Sequence, residues 1–309
     1  MTKSVVAQSY GTSDALAVVD VEVPPPASGE VLVDVKAIGV NPIDYKLYSG
    51  AFGDDPEKLP VKVGGEAAGV VAAVGPGVTE VAEGDEVIVS PVTGLYAEQV
   101  VVPVSAITRK PAGLGWEQAA GLLLAGGTAV DALDTIRAGS GDTILIHGAS
   151  GGVGALAVQL AVARGTTVIG TSGAANQDYV RNLGATPVLY GDGLEERVRE
   201  AASQGIDAAL DTAGTDEAVD VSLAVVEDKT RIVTIAAFGR AQADGFASVG
   251  GGNPASDEAR LKARDVLVEQ AGAGRLTVTI AKTFALVDAA QAHIELAKSH
   301  PAGKFILIP

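Results

Sequence analysis

The sequence predicts an α/β protein with two domains, a β-rich domain and a doubly wound parallel sheet, and three observations support this. The chain has 309 residues, a length that suits two hydrophobic cores. Its first 112 residues contain short apolar runs separated by Gly, Pro and Asp turns, which is typical of strands. From about residue 115, strand-length apolar runs alternate with runs at helical spacing. That alternation is typical of parallel strands joined by helices.

The N-terminal part predicts six strands, each with β-branched or alternating apolar residues. They cover residues 4–8, 15–23, 30–40, 67–75, 85–90 and 97–103. Gly-Pro-Gly at 75–77 and the acidic turn at 83–86 separate two of these strands from their neighbours. These features predict a β-rich domain.

The second part begins with helical spacing over 115–136, which predicts a helix starting near Trp116. Five strands then alternate with helices. The strands are 143–148, 166–171, 186–190, 206–212 and 231–237, and the helices lie near 153–164, 176–184, 193–203, 215–226 and 256–274. The tail, 275–309, predicts strand, helix and strand, with the last strand rejoining the first domain. We therefore expect one domain over 1–114 and 268–309, and the parallel-sheet domain over 115–267.

A glycine-rich segment, Ala-Ser-Gly-Gly-Val-Gly at 149–154, lies between the first strand and first helix of that alternation. It matches the dinucleotide fingerprint with Ala149 in place of the first glycine. Gly151 would let the backbone approach a pyrophosphate, and Gly154 would let the helix pack on the strand. The residues predicted to contact the cofactor here are Ala149, Ser150, Gly151, Gly152 and Val153. The alternative is a tight turn without a ligand.

The second strand ends in Thr171-Ser172-Gly173. A site for NAD usually has an acid at this point, which binds the ribose hydroxyls and would repel a 2′-phosphate. Its absence favours NADPH, so we expect these three residues to contact the cofactor. Tyr190, at the end of the third strand, either contacts the adenosine phosphate or caps the sheet.

The charge and composition exclude several classes of function. The 22 basic and 38 acidic residues give a formal charge of −16, which argues against binding to nucleic acid or to an anionic membrane. The chain has no cysteine, which excludes disulfides and Cys-ligated zinc and fits the cytoplasm. Its three histidines, His147, His293 and His300, are scattered, so we expect no metal site. His147 is either structural or polarises a group near the cofactor.

Eight segments together carry a resemblance to a known family. They are 37–50, 63–78, 83–89, 96–103, 125–133, 146–154, 211–214 and 303–307. In these the chain resembles the zinc-independent medium-chain dehydrogenase/reductases, and within them the quinone oxidoreductases related to zeta-crystallin. The resemblance implies a GroES-like first domain, a Rossmann second domain, a cleft between them and a homodimer. The sequence departs from the zinc-dependent relatives at Gly64-Gly65-Glu66, where those proteins have Gly-His-Glu.

Further cofactor contacts follow partly from the resemblance and partly from the rule that ligands sit at the carboxyl ends of parallel strands. Some of these residues also allow an interpretation without the cofactor. Thr128 is placed beside the nicotinamide or is a buried helix threonine, Gly250 and Gly251 open the pocket or form an ordinary loop, and Lys304 lies near the cofactor or is a solvated edge-strand lysine. Four residues are expected to face the nicotinamide, one following the fourth strand and three ending the fifth: Gly214, Ala236, Ala237 and Phe238.

The candidate catalytic residues are Asn41, Tyr45, Lys46 and Tyr48. Asn41 would hydrogen-bond the acceptor oxygen or the cofactor ribose, or else form a turn before Pro42. Tyr45, Lys46 and Tyr48 are candidates for stacking or proton supply. Lys46 stands where many quinone reductases of this type have tyrosine.

The predicted function is hydride transfer from NADPH to a small-molecule quinone, without zinc, in a cytoplasmic homodimer. An enone or 2-alkenal double-bond reductase is the alternative, because it needs the same hydride geometry. A non-catalytic NADPH-binding protein, like the lens crystallins, is the second alternative.

Overall fold

A computed structural model describes residues 1–298 and 300–309, which divide into two compact units. The first contains Met1–Leu124, Val268–His300 and Lys304–Pro309, and the second contains Ala125–Leu267 and Pro301–Gly303. Ser299, inside the range Val268–His300, lies outside the described residues.

The strands of the described residues are numbered in chain order. They are β1 (Thr2–Ala7), β2 (Leu16–Val21), β3 (Glu30–Val40), β4 (Val61–Lys62), β5 (Glu66–Val74), β6 (Glu86–Val89), β7 (Gln99–Pro103), β8 (Ile107–Arg109), β9 (Thr143–His147), β10 (Thr167–Ser172), β11 (Thr186–Leu189), β12 (Ala208–Asp211), β13 (Ile232–Thr234), β14 (Ala247–Ser248), β15 (Ile280–Ala285) and β16 (Lys304–Ile308).

The α-helices are numbered in the same way. They are α1 (Pro42–Tyr48), α2 (Trp116–Ala120), α3 (Leu123–Thr135), α4 (Gly152–Ala163), α5 (Gln177–Asn182), α6 (Leu194–Ala201), α7 (Asp216–Val225), α8 (Phe238–Asp244), α9 (Pro254–Gly272) and α10 (Ala289–Leu296).

The first unit is built on two sheets. One has the strand order β15-β16-β3-β5-β6-β8, with β7 also paired to β3, and the other has the order β2-β1-β4. Alternate residues of β3, such as Val31, Val33 and Val35, are buried in a core rich in valine. All six strands predicted in this part are confirmed. The short strands β4 and β8 were not predicted, because two or three residues give too little periodicity.

The C-terminal strand returns to the first unit, as predicted. β16 pairs antiparallel with β3 and parallel with β15. It is therefore an internal strand of the sheet. This position decides the surroundings of Lys304, the first residue of β16.

The second unit has a six-stranded parallel sheet in the order β11-β10-β9-β12-β13-β14. The chain starts in the middle at β9, runs outward through β10 and β11, then crosses back to β12. This reversal is the topology in which loops at the carboxyl edge diverge and leave room for a ligand. The predicted doubly wound sheet is confirmed, and its first five strands lie where the sequence predicted them.

The helix predicted over 115–136 is wrong in one respect, because the structure has two helices there. α2 ends before Gly121, and α3 starts two residues later. A Cβ on Gly121 would lie 3.0 Å from Cγ1 of Val278, so a larger residue at this position would have to displace that side chain slightly. At the start of α3, the backbone N–H of Leu124 donates to the Glu66 carboxylate at 2.9 Å. These contacts belong to the first unit, and the spacing of apolar residues along the sequence does not indicate them.

The division between the units differs from the expected boundary at 114/115. Residues 115–124 group with the first unit, because α2 packs on β3. A Cβ on Gly39 of β3 would lie 2.4 Å from the carbonyl oxygen of Ala120. Residues 301–303 group with the second unit, where Gly303 N–H donates to the carbonyl oxygen of Ser150 at 3.1 Å.

The region after the fifth parallel strand also differs from expectation. β13 ends at Thr234, so Ala236, Ala237 and Phe238 lie beyond the strand, and Phe238 begins α8. The chain leaves the sheet here because the Thr234 hydroxyl accepts the N–H groups of both Ala236 and Ala237. The expected loop after Phe238 contains helix α8 and a sixth strand, β14, which pairs with β13. Tyr190 similarly lies one residue beyond the end of β11.

Candidate functional site

The turn between β9 and α4 has the geometry that a pyrophosphate requires. Gly148 leaves β9 with a φ of 70°, and Gly151 is the N-cap residue of α4. A Cβ on Gly154 would lie 2.2 Å from the carbonyl oxygen of Gly148, so the helix packs closer than any other residue would allow. Among the described atoms within 4 Å, a Cβ on Gly151 would meet that oxygen alone, at 3.4 Å. Gly154 therefore serves packing, while Gly151 leaves the space before the helix open.

The first turn of α4 presents backbone donors to this space. It consists of Gly152, Val153 and Gly154, which carry no charged side chain. The first N–H groups of a helix have no carbonyl acceptor within it, and the helix dipole adds partial positive charge. The twelve-residue α4 thus offers an uncompensated positive end. These residues fit the pyrophosphate of a dinucleotide.

Thr171 supports the turn from β10. Its Oγ1 accepts the N–H of Gly148 at 3.2 Å and lies 3.2 Å from Nδ1 of His147. Its carbonyl oxygen accepts the N–H of Ala149 at 2.9 Å. The Thr171 side chain is buried and engaged within the fold. Contact between Thr171 and a ribose stays a prediction.

The end of β10 is lined by neutral polar groups. Ser172 Oγ accepts from Nε2 of Gln177 at 2.8 Å. Ser150 Oγ, in the glycine turn, accepts from Nδ2 of Asn176 at 3.3 Å. Tyr190 is 52 % exposed, and its hydroxyl would lie 3.2 Å from a Cβ on Gly173, so the phenol covers this glycine.

A buried polar row crosses the sheet at its carboxyl edge. His147 of β9 and Asp211 of β12 are paired in register, as are Asp211 and Thr234 of β13, and Thr171 lies on the other side of His147. Burial lowers the pKa of His147 to about 4, against the smaller opposing effect of the Asp211 charge. Among the described residues, Nε2 of His147 has no hydrogen-bond partner. His147 is therefore neutral at physiological pH.

Two members of this row hold the loops that leave the sheet. Asp211 Oδ1 accepts the N–H of Gly214 at 2.8 Å, and Asp211 Oδ2 accepts the Thr234 hydroxyl at 2.7 Å. Thr234 Oγ1 in turn accepts from Ala236 at 3.0 Å and from Ala237 at 2.9 Å. These bonds bring together the loops carrying three of the predicted nicotinamide contacts. Asp211 and Thr234 were not predicted, although a polar residue that ends an apolar strand was the available signal.

The remaining predicted cofactor residues of this unit lie on or beside helices. Thr128 is buried on α3, and Phe238 at the start of α8 is 45 % exposed. A Cβ on Gly250 would lie 3.2 Å from Cε1 of Phe238, whereas one on Gly251 would meet no described atom within 4 Å. Gly250 therefore packs beside an exposed aromatic ring, and Gly251 borders open space.

In the first unit, Asn41 and Lys304 lie together with Glu66. The Asn41 amide donates to Glu66 Oε1 at 3.1 Å, and Lys304 Nζ donates to Asn41 Oδ1 at 2.5 Å and to Glu66 Oε1 at 2.8 Å. All three side chains are buried, so the alternative of a solvated edge-strand lysine is wrong. Lys304 is internal because β16 lies between β15 and β3.

A second buried cluster adjoins it through Asp44. Asn41 N–H donates to Asp44 Oδ2 at 2.8 Å, and the Tyr96 hydroxyl donates to the same oxygen at 3.1 Å. His293 lies between two phenols, with Nε2 at 2.9 Å from the Tyr96 oxygen and Nδ1 at 2.7 Å from the Tyr48 oxygen. Asp44 orders the start of α1 through this bond to the backbone of Asn41. Tyr96 and His293 were not predicted, since nothing in the sequence relates such distant positions.

The other catalytic candidates on α1 are partly exposed. Tyr45 presents its ring edge to His293 at a centroid distance of 6.2 Å, and Lys46 occupies the next position. Burial raises the pKa of the Tyr45 phenol. Both remain candidates for contact with an acceptor.

The described residues contain no group of three His, Cys, Asp or Glu side chains placed to hold a metal ion. At Gly65, where zinc-dependent relatives have histidine, a Cβ would lie 2.9 Å from Cδ1 of Leu124, and Glu66 is engaged by Lys304. Within the same described part, no helix has the length and apolar character needed to cross a membrane.

Two family models match the chain: the alcohol dehydrogenase GroES-like domain over residues 27–112 and the zinc-binding dehydrogenase over residues 152–255. The chain is 33 % identical to a quinone oxidoreductase of Pseudomonas aeruginosa, over 100 % of both chains. It is 37 % identical to the quinone oxidoreductase of Rattus norvegicus, over 68 % of this chain and 61 % of the rat protein.

Among solved structures, the fold is similar to the Escherichia coli quinone oxidoreductase complexed with NADPH. The TM-score is 0.88 at 27 % identity, covering 99 % of this chain and 100 % of that one. The described chain and these proteins thus share both domain types and their order.

Proposed function

Because the chain belongs to the quinone oxidoreductase family of the medium-chain dehydrogenase/reductases, we propose that it is an NADPH-dependent enzyme that reduces quinones by hydride transfer. The observation that carries this proposal is the glycine turn at the start of α4. That turn is open in front of Gly151, has free backbone donors behind it, and adjoins a strand that ends without an acid.

NADPH, when bound, supplies a hydride. In this proposal the N–H groups of Gly152 and Val153 bind the pyrophosphate, and Ala149, Ser150 and Gly151 shape the turn. The neutral end of β10, Ser172 and Gly173, accommodates the 2′-phosphate because no carboxylate there repels it. Tyr190 and Thr171 complete the set proposed for the adenosine half.

The nicotinamide half is assigned to the loops that the buried polar row holds. Gly214, Ala236 and Ala237 are fixed by Asp211 and Thr234. Thr128, Phe238, Gly250 and Gly251 are proposed to border the same half. Contact between Lys304 and the cofactor stays a prediction, with the Lys304 ammonium held by Asn41 and Glu66.

The acceptor is proposed to be an electron-poor quinone, reduced without zinc. The chain offers no thiol ligand, and the Glu66 carboxylate already forms an ion pair with the buried Lys304. Asn41, Tyr45, Lys46 and Tyr48 are the residues proposed to orient the acceptor and supply its proton. We also propose that the protein is cytoplasmic and a homodimer, on the basis of its cysteine-free composition and its family.

The phosphate turn is tested by two isosteric variants. Aspartate and asparagine are equally good N-cap residues, so Gly151→Asp and Gly151→Asn should have similar stability. Only the aspartate places a negative charge against the pyrophosphate. We expect Gly151→Asp to lose NADPH binding, measured by fluorescence titration, far more than Gly151→Asn. Equal affinity of the two variants would contradict the assignment.

The acceptor is tested by NADPH oxidation with an ortho-quinone and an acyclic enone side by side. Faster turnover with the quinone is expected. Turnover with the enone alone would identify a double-bond reductase, and NADPH binding without turnover would identify a non-catalytic binding protein. Repeating the assay with NADH tests the role of the neutral strand end.

A further inference from the structure

A continuous chain of hydrogen bonds runs through the interior of the first unit. It connects Tyr48, His293, Tyr96 and Asp44, with donor–acceptor distances of 2.7, 2.9 and 3.1 Å in that order. All four side chains are at most 2 % exposed. Asp44 and Tyr48 lie on α1, whereas Tyr96 and His293 come from distant parts of the polypeptide, yet each polar atom lies within hydrogen-bond distance of the next. We call this set the Tyr48–Asp44 chain.

The direction of the bonds follows from the ionised form of Asp44. Its Oδ2 can only accept, so the Tyr96 O–H must point toward Asp44. The Tyr96 oxygen then accepts from His293, which must carry its proton on Nε2. The free lone pair on Nδ1 of His293 accepts the Tyr48 O–H. Every bond therefore runs from Tyr48 toward Asp44.

Protonation of Asp44 allows the opposite direction. The carboxyl then donates to the Tyr96 oxygen, and Tyr96 donates to Nε2 of His293. His293 carries its proton on Nδ1 and donates to the Tyr48 oxygen, which leaves the Tyr48 O–H free to donate elsewhere. The two states differ by one proton on Asp44 and by the tautomer of His293, and neither needs a charged imidazole or phenolate.

The acid strengths of the four groups suit these two states. Burial raises the pKa of Asp44 to about 7, against the lowering effects of its bonds to Asn41 and Tyr96 and of the Lys304 charge. Asp44 Oδ1 has no hydrogen-bond partner among the described residues, so the carboxylate is poorly stabilised. Burial lowers the pKa of His293 to about 4. Asp44 is thus the member that titrates near neutral pH.

The two phenols remain protonated throughout this range. Burial raises the pKa of both Tyr48 and Tyr96, and the Asp44 charge raises both further. The other charged or titratable groups that act on Asp44 are Lys304 and Glu66. Tyr45 faces the chain at His293 and also stays neutral, because its pKa is raised.

We propose that the Tyr48–Asp44 chain is a proton relay, in which Asp44 stores a proton and Tyr48 delivers it to the acceptor. The proposal rests on the proposed reduction of quinones, which consumes one hydride and one proton for each hydroquinone formed. Asp44, Tyr96 and His293 act through Tyr48 and are positioning residues.

The proton balance of one turnover is as follows. Tyr48 gives its phenolic proton to the acceptor oxygen and takes one from Nδ1 of His293. Nε2 of His293 takes the proton of Tyr96, and Tyr96 takes the proton of Asp44. The acceptor is reduced by the electron pair of the hydride, NADPH is oxidised to NADP⁺, and Asp44 is left ionised until solvent reprotonates it.

The first test observes His293 directly, in the full chain without cofactor or acceptor. Labelling histidine with ¹⁵N gives three rings, which variants at His147 and His300 assign by elimination. We expect neutral His293 to change from the Nε2–H tautomer above pH 8 to the Nδ1–H tautomer below pH 6, with a midpoint near the Asp44 pKa of about 7. In Asp44→Asn, one tautomer should persist at every pH. A single tautomer in the wild type from pH 5.5 to 9 would overturn the relay.

The second test uses a substitution that keeps the bonds but blocks proton transfer. His293→Gln offers an amide oxygen to Tyr48 and an N–H to Tyr96, but an amide does not exchange one for the other at neutral pH. We expect kcat with the quinone to fall by about 100-fold or more, with the affinity for NADPH unchanged. Tyr96→Phe interrupts the next bond and should act in the same direction.

The wild-type kcat should fall as the pH rises through about 7, since Tyr48 donates only while Asp44 is protonated. Both variants should lose this dependence. Tyr10→Phe, which removes an exposed phenol bonded to the carbonyl oxygen of Asp55, is the matched control and should behave as the wild type. Wild-type kcat and pH profile in His293→Gln would overturn the relay. A wild type that shows the tautomer change but never oxidises NADPH would instead contradict the proposed function, while supporting the coupling between Asp44 and the His293 tautomer.

Discussion

At the scale of single residues, the first unit contains a buried ion pair between Lys304 and Glu66. Both side chains are almost fully buried, and burying either charge alone costs several kcal/mol. The pair is tolerated because the carboxylate also accepts from the Asn41 amide and from Leu124 N–H. Asn41 is thereby oriented by two charged neighbours, which fixes its amide before any ligand binds.

We predict that Lys304→Met destabilises the protein by about 3 kcal/mol, because it leaves the Glu66 carboxylate buried without its cation. Urea unfolding measures the loss. Adding Glu66→Gln should recover much of it, since the amide needs no counter-charge. Lys282→Met, which breaks an exposed pair with Glu295, is the control and should cost less than about 1 kcal/mol. Equal losses of stability in Lys304→Met and Lys282→Met would contradict the prediction that burial makes the first ion pair costly to break.

At the scale of secondary-structure elements, the carboxyl edge of the parallel sheet is organised by side chains that end its strands. Thr171, His147, Asp211 and Thr234 end four adjacent strands or lie next to their ends, and each bonds to a neighbour or to a departing loop. The loops are therefore held by buried bonds at their roots, although their outer parts are exposed. This arrangement allows loops to bind a cofactor without being packed themselves.

We predict that Thr234→Val lowers stability by about 2 kcal/mol, because the N–H groups of Ala236 and Ala237 lose their acceptor. The same loss of loop order should raise KM for NADPH. Thr234→Ser keeps the hydroxyl and is the matched control, expected to retain the wild-type KM. The hypothesis fails if valine destabilises the protein while KM is unchanged.

At the scale of the whole molecule, three buried titratable groups couple stability to pH. Burial holds the pKa of His147 and of His293 at about 4, below the unfolded value near 6.5. Between these values the unfolded chain binds two more protons than the folded one, so acid destabilises the fold. Asp44 acts in the opposite direction, because burial raises its pKa to about 7 and the folded chain then holds a proton that the unfolded chain has released.

We predict that the free energy of unfolding falls as the pH decreases from 6.5 to 5, with a slope approaching about 1.4 kcal/mol per pH unit from one net proton. Asp44→Asn removes the opposing group, so its slope should approach about 2.7 kcal/mol per pH unit. Urea midpoints at four pH values measure both slopes. Parallel slopes for the wild type and the variant would show that Asp44 does not titrate as described.

Local features of the sequence predicted most of the fold. The alternation of apolar runs located the first five parallel strands, and the spacing of Ala149, Gly151 and Gly154 located the phosphate turn. These features succeed because strand alternation, helical spacing and tight turns depend on residues within one element. Gly121 shows the limit of this reasoning. A glycine within a helical pattern gave no sign that α2 ends there, and its close approach to Val278, more than 150 positions later, is visible only in the fold.

The sequence by itself determined the two domain types, the order of their strands along the chain, the glycine turn and the neutral end of β10. Only the tertiary structure decided which side chains meet. Lys304 lies on Asn41 because β16 pairs with β3, and His293 joins Tyr48 to Tyr96 because α10 packs near α1. Hydrogen bonds and ion pairs in a buried site act over about 3 Å. The residues that satisfy one another there are brought together by the folding of distant segments, and no local pattern records that pairing.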